Sequence, residues 1–146
     1  AHGLVGSEMC IRDRLNGALA GLVAITAEPL TPGPITAMFI GSIGAIIMYF
    51  GTKMLESYGL DDVVGAIPVH MFAGIFGTLV VPLTNPDTSF GTQFIGTASV
   101  CIFSFELSWA TFTALKSTIG LRISKAAEKL GTDKAEVGVS AYSIRD

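Results

Sequence analysis

Apolar residues in this chain fall in long unbroken runs, without the alternation or one-sided stripe that marks soluble strands and helices. Pro29 to Thr52, Val63 to Pro86 and Thr88 to Phe105 each lack Asp, Glu, Lys and Arg. Runs of this kind reach the roughly 20 residues that carry a helix through a bilayer core. The pattern predicts four apolar segments, Leu15 to Ala27, Thr36 to Thr52, Val64 to Val81 and Gln93 to Leu115. The breaker-rich stretches EPLTPGP and PLTNPD separate the first from the second and the third from the fourth. The predicted fold is an all-α, polytopic membrane helix bundle of about four transmembrane helices over residues 15–115, with a polar tail at 116–146.

Composition strengthens this picture. Half of the residues (50%) are hydrophobic and 14% are charged, where a soluble domain carries about a quarter charged residues. Mean hydropathy is +0.60. The formal net charge of -3 leaves no basic footprint for nucleic acid and no polybasic membrane-surface patch. Cys10 and Cys101 are too few for a disulfide framework and have no metal-ligand spacing. No metal and no cofactor are expected.

Residues 1–14, AHGLVGSEMCIRDR, are polar and give way abruptly at Leu15 to the uncharged NGALAGLVAITA. They lack the basic start, apolar middle and small-residue cleavage site of a signal peptide. Glu8 to Asp13, EMCIRD, matches the translation of a transposon-end sequencing adapter, so residues 1–14 are expected to be a non-native scar. On that expectation His2 and Cys10 carry no function, and the native protein extends upstream. Apart from Arg12 and Arg14, every Lys and Arg lies at Lys53 or from Lys116 onward, whereas loops 28–35 and 82–92 hold only the acidic Glu28 and Asp87. Alternating spans then put Lys53 and the tail on one side, which the positive-inside rule assigns to the cytoplasm.

Small residues recur at helix-packing intervals, as in Gly17 with Gly21, Gly41 with Ala45 and Gly74 with Thr78. In lipid such spacing marks faces where backbones approach closely. His70 is the ionisable-type residue of the third segment and is expected near its middle. On a regular helix its neighbours at i-4, i+3, i+4 and i+7 are Ala66, Ala73, Gly74 and Gly77, a small-residue face. An imidazole there reads as lining a pore, because polar groups at membrane depth face cavities or bundle interiors. The simpler alternative is a neutral histidine bonded to a neighbouring helix. Pro68 cannot donate a helix hydrogen bond and should bend or loosen the start of this helix. Asp61 and Asp62 precede it, where carboxylates cap free N–H groups. Glu106 reads as a helix-contacting carboxylate or, alternatively, a proton relay. Phe103, Phe105 and Trp109 read as packing or lipid-facing residues.

Asn16 to Thr26 (NGALAGLVAIT), Gly59 to Gly77 (GLDDVVGAIPVHMFAGIFG), Thr118 to Ser124 (TIGLRIS) and the tail Gly131 to Tyr142 (GTDKAEVGVSAY) resemble the ammonium transporter family in order and spacing. DDxxGAIPVH followed by small residues is the most specific part. The resemblance implies that the segments are the last four of eleven membrane helices. It implies that His70 is the second of a paired set of pore histidines, in a homotrimer with one pore per subunit. Ammonium would be recruited at an outer vestibule, deprotonated, and passed as ammonia and a proton along the histidine pair. The first histidine, the aromatic gate and the recruitment site would lie upstream, so the chain alone is expected to be inactive. A cytoplasmic regulatory protein is an expected partner of the tail, although Val137 stands where the family pattern has histidine. Competing readings are an ammonium sensor of the same fold and a membrane subunit of a redox complex with His70 on haem.

Overall fold

The computed structural model describes residues 2–140, with side chains from residue 11 onward. The side chains of His2 and Cys10, and residues 141–146 with Tyr142, lie outside the described residues. Every regular element among those described is helical. Helix α1 is His2–Thr26 and α2 is Pro34–Ser57. The third helical element opens as a π-helical segment, Ile67–Phe72, continues as α3, Ala73–Val80, and closes in the 3-10 turn Val81–Leu83. Then come α4, Phe90–Thr118, the short α5, Lys125–Leu130, and a second π-helical segment, Asp133–Val137.

Local chemistry explains the ends of α2. Pro34 sits in the first turn, where its missing N–H costs no helix bond and its fixed φ suits the start. At the other end Gly59 takes φ +68, a left-handed conformation open to glycine. The Leu60 amide then donates to the Leu55 carbonyl at 3.0 Å and the Gly59 amide to Glu56 at 3.0 Å. This is a Schellman ending, which satisfies carbonyls the helix leaves free.

The chain divides into two compact units, Ala1–Cys101 and Ile102–Asp146, with the boundary inside α4. In the first unit α1 packs along α2 and against the third element. The helices meet with backbones almost touching. A Cβ on Gly21 would lie 3.1 Å from the Gly41 carbonyl oxygen, and one on Gly44 would lie 2.6 Å from Ala24 Cβ and 2.9 Å from the Ala20 carbonyl oxygen. A Cβ on Gly77 would run into the Ala24 carbonyl. These pairings run antiparallel for α1 with α2 and parallel for α1 with α3. Ala20, Met48, Val69 and Ala73 form the buried cluster, with Val23 half-buried against it. Glu28 closes the far end, its Oε2 accepting from Asn85 Nδ2 at 2.9 Å, so the loops after α1 and after the 3-10 turn meet.

The helices differ in length. Only α2 and α4, of the described helices, are long and apolar enough to cross a membrane; at about 1.5 Å per residue they extend roughly 36 and 43 Å. The element Ile67–Leu83 is shorter, at about 25 Å, because Gly65 holds φ +76 and stops the helix from reaching back to Val64. Helix α1 runs through residues 2–14 without a break at Leu15, and Arg12 Nη1 donates to the Val63 carbonyl at 3.3 Å.

In the second unit no residue of α4 is buried. The helix is apolar on all sides, which suits a lipid or protein surround and not water. Phe105, Trp109, Phe112, Lys116 and Leu121 are among the residues lining an open groove of about 350 Å³. Phe103, Phe105 and Trp109 are exposed. Ser124 caps α5, its hydroxyl accepting from the Ala127 amide at 3.2 Å.

The Gly77 contact is with backbone, which cannot swing aside, so Gly77→Ala in the intact protein is expected to cost stability at the upper end of the ~1–3 kcal/mol typical of overpacking. Gly33, with nothing near its Cβ position, is the control. Thermal melting in detergent should fall for Gly77→Ala and stay level for Gly33→Ala.

Candidate functional site

The site is assembled around the entry to the third element. Asp62 accepts from the Ala66 amide through Oδ1 at 2.9 Å and from the Ile67 amide through Oδ2 at 2.8 Å. Both carboxylate oxygens are thus spent on amides that a helix start leaves without partners. The negative charge also lies at the positive end of the helix. Asp61 is exposed and makes no hydrogen bond among the described residues.

Asn16 of α1 pins the preceding loop, its Nδ2 donating to the Val64 carbonyl at 2.9 Å. The same amide stands 2.5 Å from where a Cβ on Gly65 would be. Gly65 is therefore required twice, for its positive φ and for the space Asn16 occupies. Pro68 is buried and, lacking an N–H, cannot close a regular helical bond. The backbone widens from Ile67 to Phe72 into a π-helical turn, a geometry that often accompanies functional sites.

His70 lies within this widened turn and is exposed. It belongs to the opening turns of Ile67–Leu83, not the middle, since the helix starts after Gly65. Its exposed neighbours Ala66, Ile67 and Met71 are apolar, and among the described residues nothing hydrogen-bonds the imidazole. The ring therefore sits on an oily surface with both nitrogens available.

The small-residue face divides. Ala66 is exposed and Gly74 half-buried, its Cβ position 3.6 Å from Val23 Cγ1. Ala73 and Gly77 are buried against α1. The widened turn breaks the regular helical register on which the shared face was read, so Ala73 and Gly77 hold helices together while His70 projects elsewhere. Glu106 is exposed on α4 in the second unit.

Sequence reasoning passed over Asn16 and Gly51 as site residues. For Asn16 a signal existed, because a side-chain amide inside an apolar helix needs a partner. For Gly51 none did, since its importance comes from what packs on it across the helix pair.

The sequence profile of the Ammonium Transporter Family matches residues 9–142. The chain belongs to that family. It is 38% identical over 148 residues to ammonium transporter Amt2 of Archaeoglobus fulgidus, covering 87% of this chain and 31% of that protein. It is 32% identical over 144 residues to an ammonium transporter of Corynebacterium glutamicum, covering 88% of this chain and 32% of that one. Ammonium transporter 1 of Schizosaccharomyces pombe is 31% identical over 153 residues, at 89% and 31% coverage. The chain thus spans about a third of the length of these relatives. Family membership and the two long apolar helices make this a membrane protein.

Asp62→Ala removes both cap acceptors and is expected to cost ~1–2 kcal/mol of local stability. Hydrogen exchange of the Ala66 and Ile67 amides should accelerate selectively, with Asp62→Asn intermediate because it keeps one acceptor oxygen.

Proposed function

We propose that the protein moves ammonium across a membrane and that His70 lines its conduction path as one of a pair of histidines. The observation that carries this reading is the exposed imidazole on an apolar surface, seated on a turn that is capped by Asp62, pinned by Asn16 and packed on α2. An ammonium ion entering an apolar conduit loses its hydration at a cost of several kcal/mol or more unless the charge is removed. Neutral ammonia avoids that cost and still offers hydrogen-bond donors and an acceptor. Imidazole matches both, donating through one ring nitrogen and accepting through the other.

The wall facing His70 belongs to the remainder of the transporter, with the partner histidine, the recruitment site and the aromatic gate. Asp61, Asp62 and Pro68 shape the pore helix start, and Ala66 and Gly74 lie beside the path. Ala73 and Gly77 serve it by holding the pore helix against α1. The intact protein is a homotrimer in the cell membrane, with Lys53 and the tail from Lys116 in the cytoplasm and a regulatory protein as the tail's partner. The distribution of Lys and Arg supports this orientation. The meeting of Glu28 and Asn85 puts their two loops at one shared end of the first unit.

His70→Ala in the full-length protein is expected to change ammonium uptake per transporter, or the charge moved per ammonium, by at least about tenfold, equivalent to ~1.4 kcal/mol on the limiting barrier. Solid-supported-membrane currents together with uptake measure both, and unchanged values would refute the role. An ammonium sensor would bind ammonium with no flux in the same preparation.

A further inference from the structure

The third element packs against α2 and approaches it closely at Gly51. Gly51 is buried in α2, and a Cβ there would lie 2.5 Å from Phe72 Cδ2, 2.9 Å from Phe72 Cε2 and 3.3 Å from Pro68 Cβ. Pro68 and Phe72 thus straddle Gly51, one near each end of the widened turn. His70 lies midway between them in sequence. Pro68 and Val69 are buried and Phe72 is half-buried, whereas His70 is exposed, so His70 projects away from the contact. Val69, between Pro68 and His70, is buried in the cluster with Met48, which removes the freedom of the turn to roll.

From this geometry we infer that Gly51 is a positioning residue for His70. By admitting the Phe72 ring and Pro68 against bare backbone, it sets how far the imidazole stands out from α2 into the conduction path. The inference rests on the pore reading of His70. It is distinct from general helix packing because the contact engages the turn that carries the imidazole, whereas the Gly21, Gly44 and Gly77 contacts do not. A methyl group at Gly51 would drive the ring or the turn outward by a distance of the order of the overlap. Displacements of about 1 Å at a reacting site change rates by as much as roughly a hundredfold. The ring is a side chain, and shortening it offers relief that a backbone collision would not.

The test uses full-length transporter carrying Gly51→Ala, Phe72→Leu, the two combined, and His70→Ala, with Gly33→Ala, just before α2, as the control. The readout is the ratio of methylammonium to ammonium uptake, which is independent of how much protein reaches the membrane. Gly51→Ala is expected to shift the ratio by roughly tenfold, and adding Phe72→Leu should bring it back toward the parent value. Gly33→Ala should leave it unchanged. A parental ratio in Gly51→Ala, or a shift that Phe72→Leu fails to reverse, overturns the inference and assigns Gly51 to packing alone. If Gly51→Ala yields no protein in the membrane, Phe72→Leu alone decides, with a shifted ratio expected and an unshifted one overturning the inference. A parental ratio in His70→Ala sinks the pore reading itself, whereas a shift there with none in Gly51→Ala sinks only the positioning role.

Discussion

The near contact of backbones among α1, α2 and α3 is the constraint on which the rest of the first unit depends. In water, apolar side chains gain by leaving solvent, but in lipid that gain disappears between helices and dispersion at short range takes its place. Gly21 against Gly41, Gly44 against Ala20, and Gly77 against Ala24 each bring two main chains together with no side chain between them, and Gly44 also meets the Ala24 methyl. Ala24 meets both α2 and α3, so a change at that position acts on two helix pairs at once. Many of the large apolar side chains are left to the outside. Phe39, Phe50 and Met38 of α2 are all exposed.

That inversion of the soluble pattern also explains how the polar groups are arranged. The side chains that hydrogen-bond from one element to another collect at the ends of the first unit. Asp62 and Asn16 serve one end, while Glu28 and Asn85 serve the other. His70 stands apart as a polar group on the apolar outer surface, without a partner from this chain among the described residues. The two end clasps and the middle contacts fix the helices in depth, and the imidazole is carried by them as a fixed appendage.

The class, the four apolar segments and the cap at Asp62 were legible because each rests on local signals: run length, breakers, and a carboxylate before a helix. Helix α2 needed little more than Pro34 and Gly59 to set its limits. The third element was less legible. Gly65 looked like one more small residue, and nothing local announced its left-handed backbone or the Asn16 amide lying where a side chain would go. Pro68 signalled a disturbed helix start, but the form of the disturbance, a widened turn through Phe72, follows from packing on Gly51 and Asn16. The small face read for His70 assumed unbroken 3.6-residue periodicity, and that assumption fails at such a turn.

Between Val63 and Ala66 the chain is irregular, and the helix that follows is shorter than the ~30 Å oily slab it belongs to. Main-chain groups in such a stretch lack helical partners, and an orphan costs several kcal/mol wherever water does not reach it. The Asn16 amide supplies Val64 with the bond that Pro68, lacking an N–H, cannot donate, while the Asp62 carboxylate accepts from the otherwise partnerless amides of Ala66 and Ile67. Borrowed side chains thus substitute for missing secondary structure, which lets the peptide stay unwound beside the imidazole without exposing bare dipoles to hydrocarbon.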